Sequence, residues 1–100
     1  MAKRENKFQA NLIKEIYQIF GKDECLVMKC DPNYIQGIPD LLVLYRDRWA
    51  LLECKREEDA IHQANQDYYV EWLNGLSYSS FIYPENKEAV LIELQQALRP

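Results

Sequence analysis

Apolar residues near the N-terminus recur at intervals of one, three and four, as they do on one face of an α-helix. The positions are Phe8, Leu12, Ile13, Ile16, Tyr17 and Phe20. Gly21 follows the last of them, and glycine is the residue most often found just beyond the C-terminus of a helix. The pattern therefore predicts an amphipathic helix of about four turns that ends at Gly21.

Three short apolar segments follow this helix and have the length of β-strands. They span residues 25–30, 40–45 and 49–55. The charged residues 46–48, Arg46-Asp47-Arg48, indicate that the second and third strands form a hairpin. Both strands of this hairpin are apolar at consecutive positions, which is typical of a sheet covered on both faces. We expect them to be central strands.

The second half of the chain predicts a helix, a strand and a closing helix. Ile61, Ala64, Tyr68, Trp72 and Leu76 recur at helical spacing and form a predicted core stripe. Asp59 is the candidate N-cap of this helix, and Asn74-Gly75 is its candidate terminator. Residues 77–84 then predict a strand, and residues 85–98 a final helix. The expected fold is α/β with the order αβββαβα.

The composition limits the kind of protein that can carry these elements. A length of 100 residues allows one domain, residues 1–100. An apolar fraction of 48% and a charged fraction of 28% are typical of a globular chain with a buried core. No apolar run is long enough for a membrane span and no signal peptide is recognisable, so we expect an intracellular protein without membrane contact.

The cysteines and the net charge exclude further classes. Cys25, Cys30 and Cys54 are odd in number and form no CxxC pair, which argues against a disulfide framework and against a structural zinc site. A formal net charge of -4 points, taken alone, away from a polyanion-binding protein.

Two carboxylates lie where the pattern predicts the interior of the sheet. Asp40 and Glu53 each adjoin an unbroken apolar run, and burying a lone carboxylate costs several kcal/mol unless it is paired or bound to a cation. Lys55 lies two positions after Glu53, and therefore on the same face of its strand, whereas Cys54 points the other way. The trio is either a buried salt-bridge cluster without chemistry or a functional site.

The length of the hairpin connection decides whether these charges meet. If the connection has two or four residues centred between Arg46 and Asp47, Asp40 lies directly opposite Glu53. Cross-strand Cβ atoms are about 4.5–5.5 Å apart, a separation at which two carboxylates can share one metal ion. A three-residue loop would place Asp40 on the other face and break the site. Pro39 marks an extended entry into the strand.

The motifs GIPD (37–40) and ECK (53–55), on a hairpin framed by helices, resemble the PD-(D/E)XK nucleases. The GIPD form, Gln66 in the following helix and the leading Glu5-x-x-x-Gln9 make the VRR-NUC branch of that superfamily the closest likeness. The resemblance runs from Glu5 to about residue 83. It implies a restriction-endonuclease-like α/β core, with a central mixed sheet flanked by helices.

The resemblance also implies a role for each residue of the site. Asp40 and Glu53 would be the metal-binding carboxylates, and the backbone carbonyl of Cys54 would complete the protein ligands. Lys55 would position or activate the attacking water, and Gln66 would support the site from its helix. Hard oxygen donors with open water positions suit Mg²⁺ or Mn²⁺ as the cofactor.

The family also carries an acid on its first helix, and two residues compete for that position. Glu5 falls in the middle of the apolar stripe, whereas Glu15 lies at its edge. We assign the role, with metal binding as an additional function, to Glu5, with Gln9 one turn further on. The alternative is an exposed first-turn acid that interacts with the helix dipole. His62, one predicted turn before Gln66, has no counterpart in the family.

Basic and aromatic residues supply candidate DNA contacts, although such residues are also common on solvated surfaces. The candidates are Lys3, Arg4, Lys7, Tyr34, Arg46, Arg48 and Arg56. Tyr34 is included because its loop should lie near the substrate cleft. Tyr68 and Trp72 are assigned to the core and not to nucleotide stacking.

Together these features predict a metal-dependent DNA endonuclease that hydrolyses phosphodiester bonds. Stand-alone VRR-NUC proteins of this size, often encoded by phages, resemble Holliday junction resolvases that act as homodimers. We therefore expect a homodimer that cuts branched DNA such as a four-way junction. The alternatives are a flap, nicking or restriction-type nuclease, or a non-catalytic DNA-binding or assembly module. The net charge would then reflect a polarised surface, with acidic residues partly offset by bound cations.

Overall fold

The computed structural model describes the backbone of residues 3–100 and the side chains from Asn6 onward. Its elements are α1 (Lys3–Phe20), β1 (Cys25–Lys29), β2 (Leu41–Tyr45), β3 (Arg48–Cys54), α2 (Gln66–Leu76), β4 (Tyr78–Ile82) and α3 (Lys87–Leu98). The predicted order αβββαβα is confirmed. Helix α1 ends as expected at Gly21, which adopts a φ of 83° and donates its N–H to the carbonyl of Tyr17 at 2.8 Å.

The four strands form one mixed sheet in the order β1-β2-β3-β4. Strands β1, β2 and β3 are mutually antiparallel, whereas β3 and β4 are parallel and are joined through α2. The hairpin strands β2 and β3 are central, as predicted. Arg46 and Asp47 form the turn, and the register pairs Leu41 with Leu52. This register places Asp40 opposite Glu53, so the expected hairpin geometry is confirmed.

Helices α1 and α3 cover one face of the sheet and enclose the main core. The strand residues that point toward these helices are Leu41, Val43, Ala50, Leu52, Cys54 and Ile82, all of them fully buried. The other face carries α2, which packs on β3 and β4. Leu42 and Leu44 of β2 point toward that second face and are only half-buried. The expectation that both hairpin strands are covered on both faces therefore holds for β3 and is wrong for β2.

Helix α2 begins later than its apolar spacing predicts, and it continues through its candidate terminator. Asp59 is not its N-cap, because the helix starts at Gln66, after Asn65 in a left-handed conformation with a φ of 69°. Asn74-Gly75 does not terminate the helix, which continues to Leu76. Residues 56–65 form an irregular segment instead, and this segment becomes one wall of the candidate site described below.

The predicted core stripe of α2 is also wrong. The helix turns Val70 and Leu73 toward the sheet and leaves the predicted stripe exposed. The exposed side chains of that stripe are Ile61, Ala64, Tyr68, Trp72 and Leu76. At 100° per residue on a helical wheel, Tyr68, Trp72 and Leu76 are centred about 130° away from Val70 and Leu73, so the predicted stripe and the buried residues lie on separate faces of the helix.

The three cysteines are free thiols, with Cys25 and Cys54 buried and Cys30 half-buried. Cys54 points away from Glu53 and Lys55 into the core between the sheet and helices α1 and α3, as expected. Within residues 3–100, no helix is both long enough and apolar enough to cross a lipid bilayer.

Candidate active site

The predicted charges converge at one end of the sheet, on the face that carries α2. Asp40 directly precedes β2, and Glu53 lies near the end of β3, at the position opposite Asp40. The backbone N–H of Cys54 donates to Asp40 Oδ2 at 3.0 Å, which ties the Asp40 side chain to β3. Pro39 is fully buried immediately before Asp40. The hairpin register thus holds the two carboxylates side by side.

Glu53 and Lys55 form a buried ion pair. Their exposed fractions are 2% and 5%, and Lys55 Nζ lies 3.7 Å from Glu53 Oε2. The ammonium group also donates to Gln66 Oε1 at 2.6 Å and to the carbonyl of Ile61 at 3.2 Å. Charges of this kind persist in a protein interior only when their hydrogen bonds are satisfied. The lysine is therefore held by three oxygen atoms from three segments of the chain.

Gln66, the first residue of α2, links the two charges. Its Nε2 donates to Glu53 Oε2 at 2.9 Å, while its Oε1 accepts from Lys55 Nζ and, at 2.8 Å, from the backbone N–H of Gln63. The partners fix the orientation of the amide, since an ammonium group can only donate and a carboxylate can only accept. The structure therefore brings together four residues that the sequence singled out: Asp40, Glu53, Lys55 and Gln66.

These side chains open into a cleft of about 480 Å³. The cleft is lined by Pro32, Asp40, Glu53, Lys55, Arg56, Ala60, Ile61, Gln63 and Gln66. Its walls are the loop that precedes β2 and the irregular segment 56–65. Gly37 joins the two walls with a φ of 92°, and a Cβ atom there would lie 2.5 Å from Cβ of Asn65. Only glycine therefore allows the two walls to approach each other this closely.

The cleft lining carries two carboxylates, Asp40 and Glu53, and two cationic side chains, Lys55 and Arg56. The pKa of the Cys30 thiol is raised, first by its burial and then by the negative charges of Asp40 and Glu53. Cys30 follows β1 and is close enough for both charges to act on it. The two carboxylates therefore act together on the interior end of the cleft.

The donor set fits a hard divalent cation. Mg²⁺ is commonly held by one or two carboxylates, with water and substrate phosphate oxygens in the remaining positions. Asp40 and Glu53 provide two such carboxylates. Among the described residues, no group of three or more His, Cys, Asp or Glu side chains is arranged to hold a metal ion. A further protein donor would therefore be the Cys54 carbonyl or a side chain that precedes Asn6.

Glu5 belongs to that preceding part, because its side chain, like those of Lys3 and Arg4, lies outside the described residues. Its competitor Glu15 accepts two hydrogen bonds from Lys87 Nζ of α3, at 3.0 and 3.1 Å. Glu15 is therefore engaged away from the cleft. Gln9, one turn after Glu5, is buried.

The other DNA-contact candidates are divided between two ends of the molecule. Arg46 and Arg48 lie at the hairpin turn, about 20 Å along the strands from Asp40, and Arg46 is bound to Glu24 at 2.9 Å. The turn and the site lie at opposite ends of the strands, so these two candidates are not close to the cleft.

Arg56, Tyr34 and Lys7 remain compatible with substrate contact. Arg56 lines the cleft, where its Nε lies 3.2 Å from Glu57. Tyr34 is exposed on the loop whose Pro32 also lines the cleft. Lys7 is exposed on α1.

His62 is not part of α2 and lies in the irregular wall of the cleft. Its ring stacks on Phe81 of β4 with a centroid separation of 4.1 Å, and its Nδ1 lies 2.7 Å from Asp67 Oδ1. These contacts anchor the wall that supplies the Ile61 carbonyl to Lys55. This irregular wall was not predicted, because the apolar spacing assigned its residues to a helix.

Comparison with models of known protein families, with curated protein sequences and with solved structures found no match. Function is therefore inferred from the geometry of the site and from the motifs that the site contains. They define an α/β protein with paired carboxylates and a buried lysine at one end of a mixed sheet.

Proposed function

We propose that this chain is a metal-dependent DNA endonuclease of the PD-(D/E)XK type, with VRR-NUC nucleases as its closest likeness. The observation that carries the proposal is the pairing of Asp40 and Glu53 across the β2–β3 hairpin, with Lys55 on the same face and in the same cleft. A buried salt bridge alone would explain Glu53 and Lys55. It would not explain why a second carboxylate lines the same open cleft.

Each residue has a defined part in phosphodiester hydrolysis. A Mg²⁺ or Mn²⁺ ion held by Asp40 and Glu53 would polarise the phosphoryl oxygen and make hydroxide available near neutral pH. Lys55 presents a positive charge where negative charge develops on the phosphate. Gln66 holds Lys55 and Glu53 in their relative positions. A water oxygen gives up a proton and bonds to phosphorus, the bond from phosphorus to the leaving sugar oxygen breaks, and that oxygen takes up a proton from solvent.

The proposed substrate is branched DNA, in particular a four-way junction cut by a homodimer. The described residues form one α/β unit, and its candidate cleft at one end of the sheet leaves little adjoining surface for reading bases in addition to cutting. Shape and deformability would then replace base contacts as the source of specificity. Arg56 and Tyr34 at the cleft would contact the DNA backbone or an unpaired base.

Cleavage assays with matched variants test the proposal. The protein would be incubated with Mg²⁺ or Mn²⁺ and with linear, flap and four-way DNA. Asp40→Asn and Glu53→Gln keep the shape of each side chain and are expected to reduce cleavage at least about 100-fold. Asp47→Asn at the hairpin turn is the control and should cut like the unmodified protein. Failure of the unmodified protein to cut any of these substrates would refute the enzymatic proposal.

Metal binding can be measured without cleavage. A ligand that binds only the folded state raises the melting temperature, so Mn²⁺ should stabilise the unmodified protein and Asp47→Asn equally. Asp40→Asn should lose that shift. An equal shift in all three proteins would show that the ion binds elsewhere.

A further inference from the structure

The face of the sheet that carries the candidate site also carries an uncovered apolar surface. Strand pairing aligns Leu26 with Leu44 and Trp49, and Met28 with Leu42 and Leu51. Residues paired across strands point to the same side of a sheet. These two apolar rows lie beside the row of Asp40 and Glu53, so the site and the apolar surface are continuous.

Helix α2 covers only half of this face. It packs on β3 and β4, where Leu51 is buried. Over β1 and β2, Leu26 is 50% exposed and Met28 is 46% exposed, and Leu42 and Leu44 are half-buried. The residues of these two strands that face α1 and α3 are largely buried. We refer to the half formed by Leu26, Met28, Leu42 and Leu44 as the open half-sheet.

Beside the open half-sheet, α2 presents an apolar flank of its own. Tyr68, Trp72 and Leu76 are 61%, 50% and 60% exposed. Asn74, on the opposite flank, accepts a hydrogen bond from the backbone of Ser79 in β4. The apolar flank therefore faces away from β4, toward the open half-sheet. Gly75 adjoins it with open space around its Cα, so another chain can approach closely there.

We propose that a second copy of this chain covers the open half-sheet with its own α2. Each copy has one half-sheet without a helix and one helix with an uncovered apolar flank, and both lie on the same side. A twofold axis that is parallel to α2 and lies between α2 and the open half-sheet exchanges the two halves of the face, so each helix fills the vacant half of the partner. Such a contact is isologous and closes at two copies.

The direction of this axis determines where the two candidate sites lie. Gln66 at the start of α2 contacts Glu53, and Ser77 after its end contacts the carbonyl of Trp49. The helix therefore runs antiparallel to β3, with the site at its N-terminal end. Rotation about an axis parallel to α2 does not reverse the direction of the helix. Both sites therefore open at the same end of the dimer. The proposed contact between two copies does not depend on nuclease activity. Its consequence for paired cleavage rests on the proposed function.

The area of the apolar surface is appropriate for a self-association of moderate strength. The exposed parts of the open half-sheet, Trp49 and the α2 flank amount to about 500 Å² per chain, from side-chain areas implied by transfer energies. Two copies would bury about 1,000 Å² before the polar rim is counted, near the lower end of stable protein interfaces. A single apolar patch of this size is at the upper end of what monomers expose.

The chemistry of the surface favours a protein over a nucleic acid. The four side chains of the open half-sheet are aliphatic or thioether groups, which offer no positive charge to phosphate. The flank of α2 formed by Tyr68, Trp72 and Leu76 likewise offers no positive charge to phosphate. DNA is therefore expected at the cleft end of this face and not across it.

Sedimentation of matched variants tests the dimer. The unmodified protein should sediment as a dimer at micromolar concentration. Leu76→Lys should weaken association at least tenfold, whereas Ile92→Lys on α3, where the replaced side chain is 56% exposed, should leave it unchanged. A monomeric unmodified protein at 100 µM, or equal effects of the two substitutions, would overturn the proposal. Cleavage assays on the same samples report separately on the proposed function.

A charge exchange tests the predicted packing of helix on sheet. Trp72→Lys and Leu26→Glu should each prevent association alone, because each places an uncompensated charge in the apolar contact. In a 1:1 mixture, one contact pairs lysine with glutamate and the other retains both apolar residues. The mixture should therefore regain dimers. If it stays monomeric while Leu76→Lys also remains monomeric, α2 does not cover the partner's β1.

Discussion

Replacing Gln66 by methionine would test whether the amide organises the candidate site. Methionine has nearly the same length and fills the same volume, but it neither donates to Glu53 nor accepts strongly from Lys55. The substitution therefore removes the hydrogen bonds to Lys55 at 2.6 Å, to Glu53 at 2.9 Å and from the Gln63 backbone at 2.8 Å, and leaves the 3.7 Å ion pair in place. It isolates the contribution of the amide from that of the charges.

The expected loss of stability follows from the number and type of bonds removed. Hydrogen bonds to charged groups contribute about 1.5–3 kcal/mol each, and burial of the methionine side chain recovers part of this. A net loss of about 2–4 kcal/mol is therefore expected. Gln96 on α3 is exposed, and Gln96→Met should change the free energy of unfolding by less than about 0.5 kcal/mol.

Urea unfolding followed by circular dichroism measures both variants. At an m-value of about 1–2 kcal/mol/M, the midpoint of Gln66→Met should fall by about 1–4 M urea. Under the proposed function, its cleavage rate should also fall about 10–100-fold, as is typical when residues that orient a metal site are changed. A midpoint equal to that of Gln96→Met would refute the argument that Gln66 holds the buried charges.

Three further substitutions probe other parts of the structure. Gly37→Ala would force a side chain onto a φ of 92° and against Asn65, and should cost about 1–3 kcal/mol in urea unfolding. Burial and a hydrogen bond to Glu93 raise the pKa of Tyr78. Stability from this shift is complete below the unfolded pKa of about 10 and is lost as the pH rises above it. Tyr78→Phe should therefore show a smaller decrease in unfolding free energy between pH 9 and 11.5. Tyr17→Phe removes the hydroxyl that accepts an N–H of β1 at 2.8 Å, and should cost about 1 kcal/mol and accelerate hydrogen exchange in β1.

The hairpin and the charges at its end were predictable because they depend only on side-chain alternation along a strand and on the length of one turn. Parity along β3 places Glu53 and Lys55 on one face, and a two-residue turn places Asp40 opposite Glu53. Neither step requires knowledge of the rest of the fold.

The start of α2 was not predictable from spacing, because a distant contact determines it. The loop before β2 packs against Asn65 so closely that only glycine fits at position 37, and Asn65 adopts a left-handed conformation. The chain therefore becomes helical only at Gln66. Sequence periodicity carries no information about a contact between residues 28 positions apart.

Two of the incorrect predictions concern the same face of the molecule, and they have a common explanation. The consecutive apolar residues of β2 predict cover on both faces, and Tyr68, Trp72 and Leu76 predict burial. In the single chain, Leu42, Leu44 and this flank of α2 all remain exposed or half-buried. The apolar run of β2 and the helical spacing of α2 are independent patterns. Both predict burial that one chain does not provide. A partner that covers both would satisfy both patterns at once, and only a second copy already has the matching surfaces.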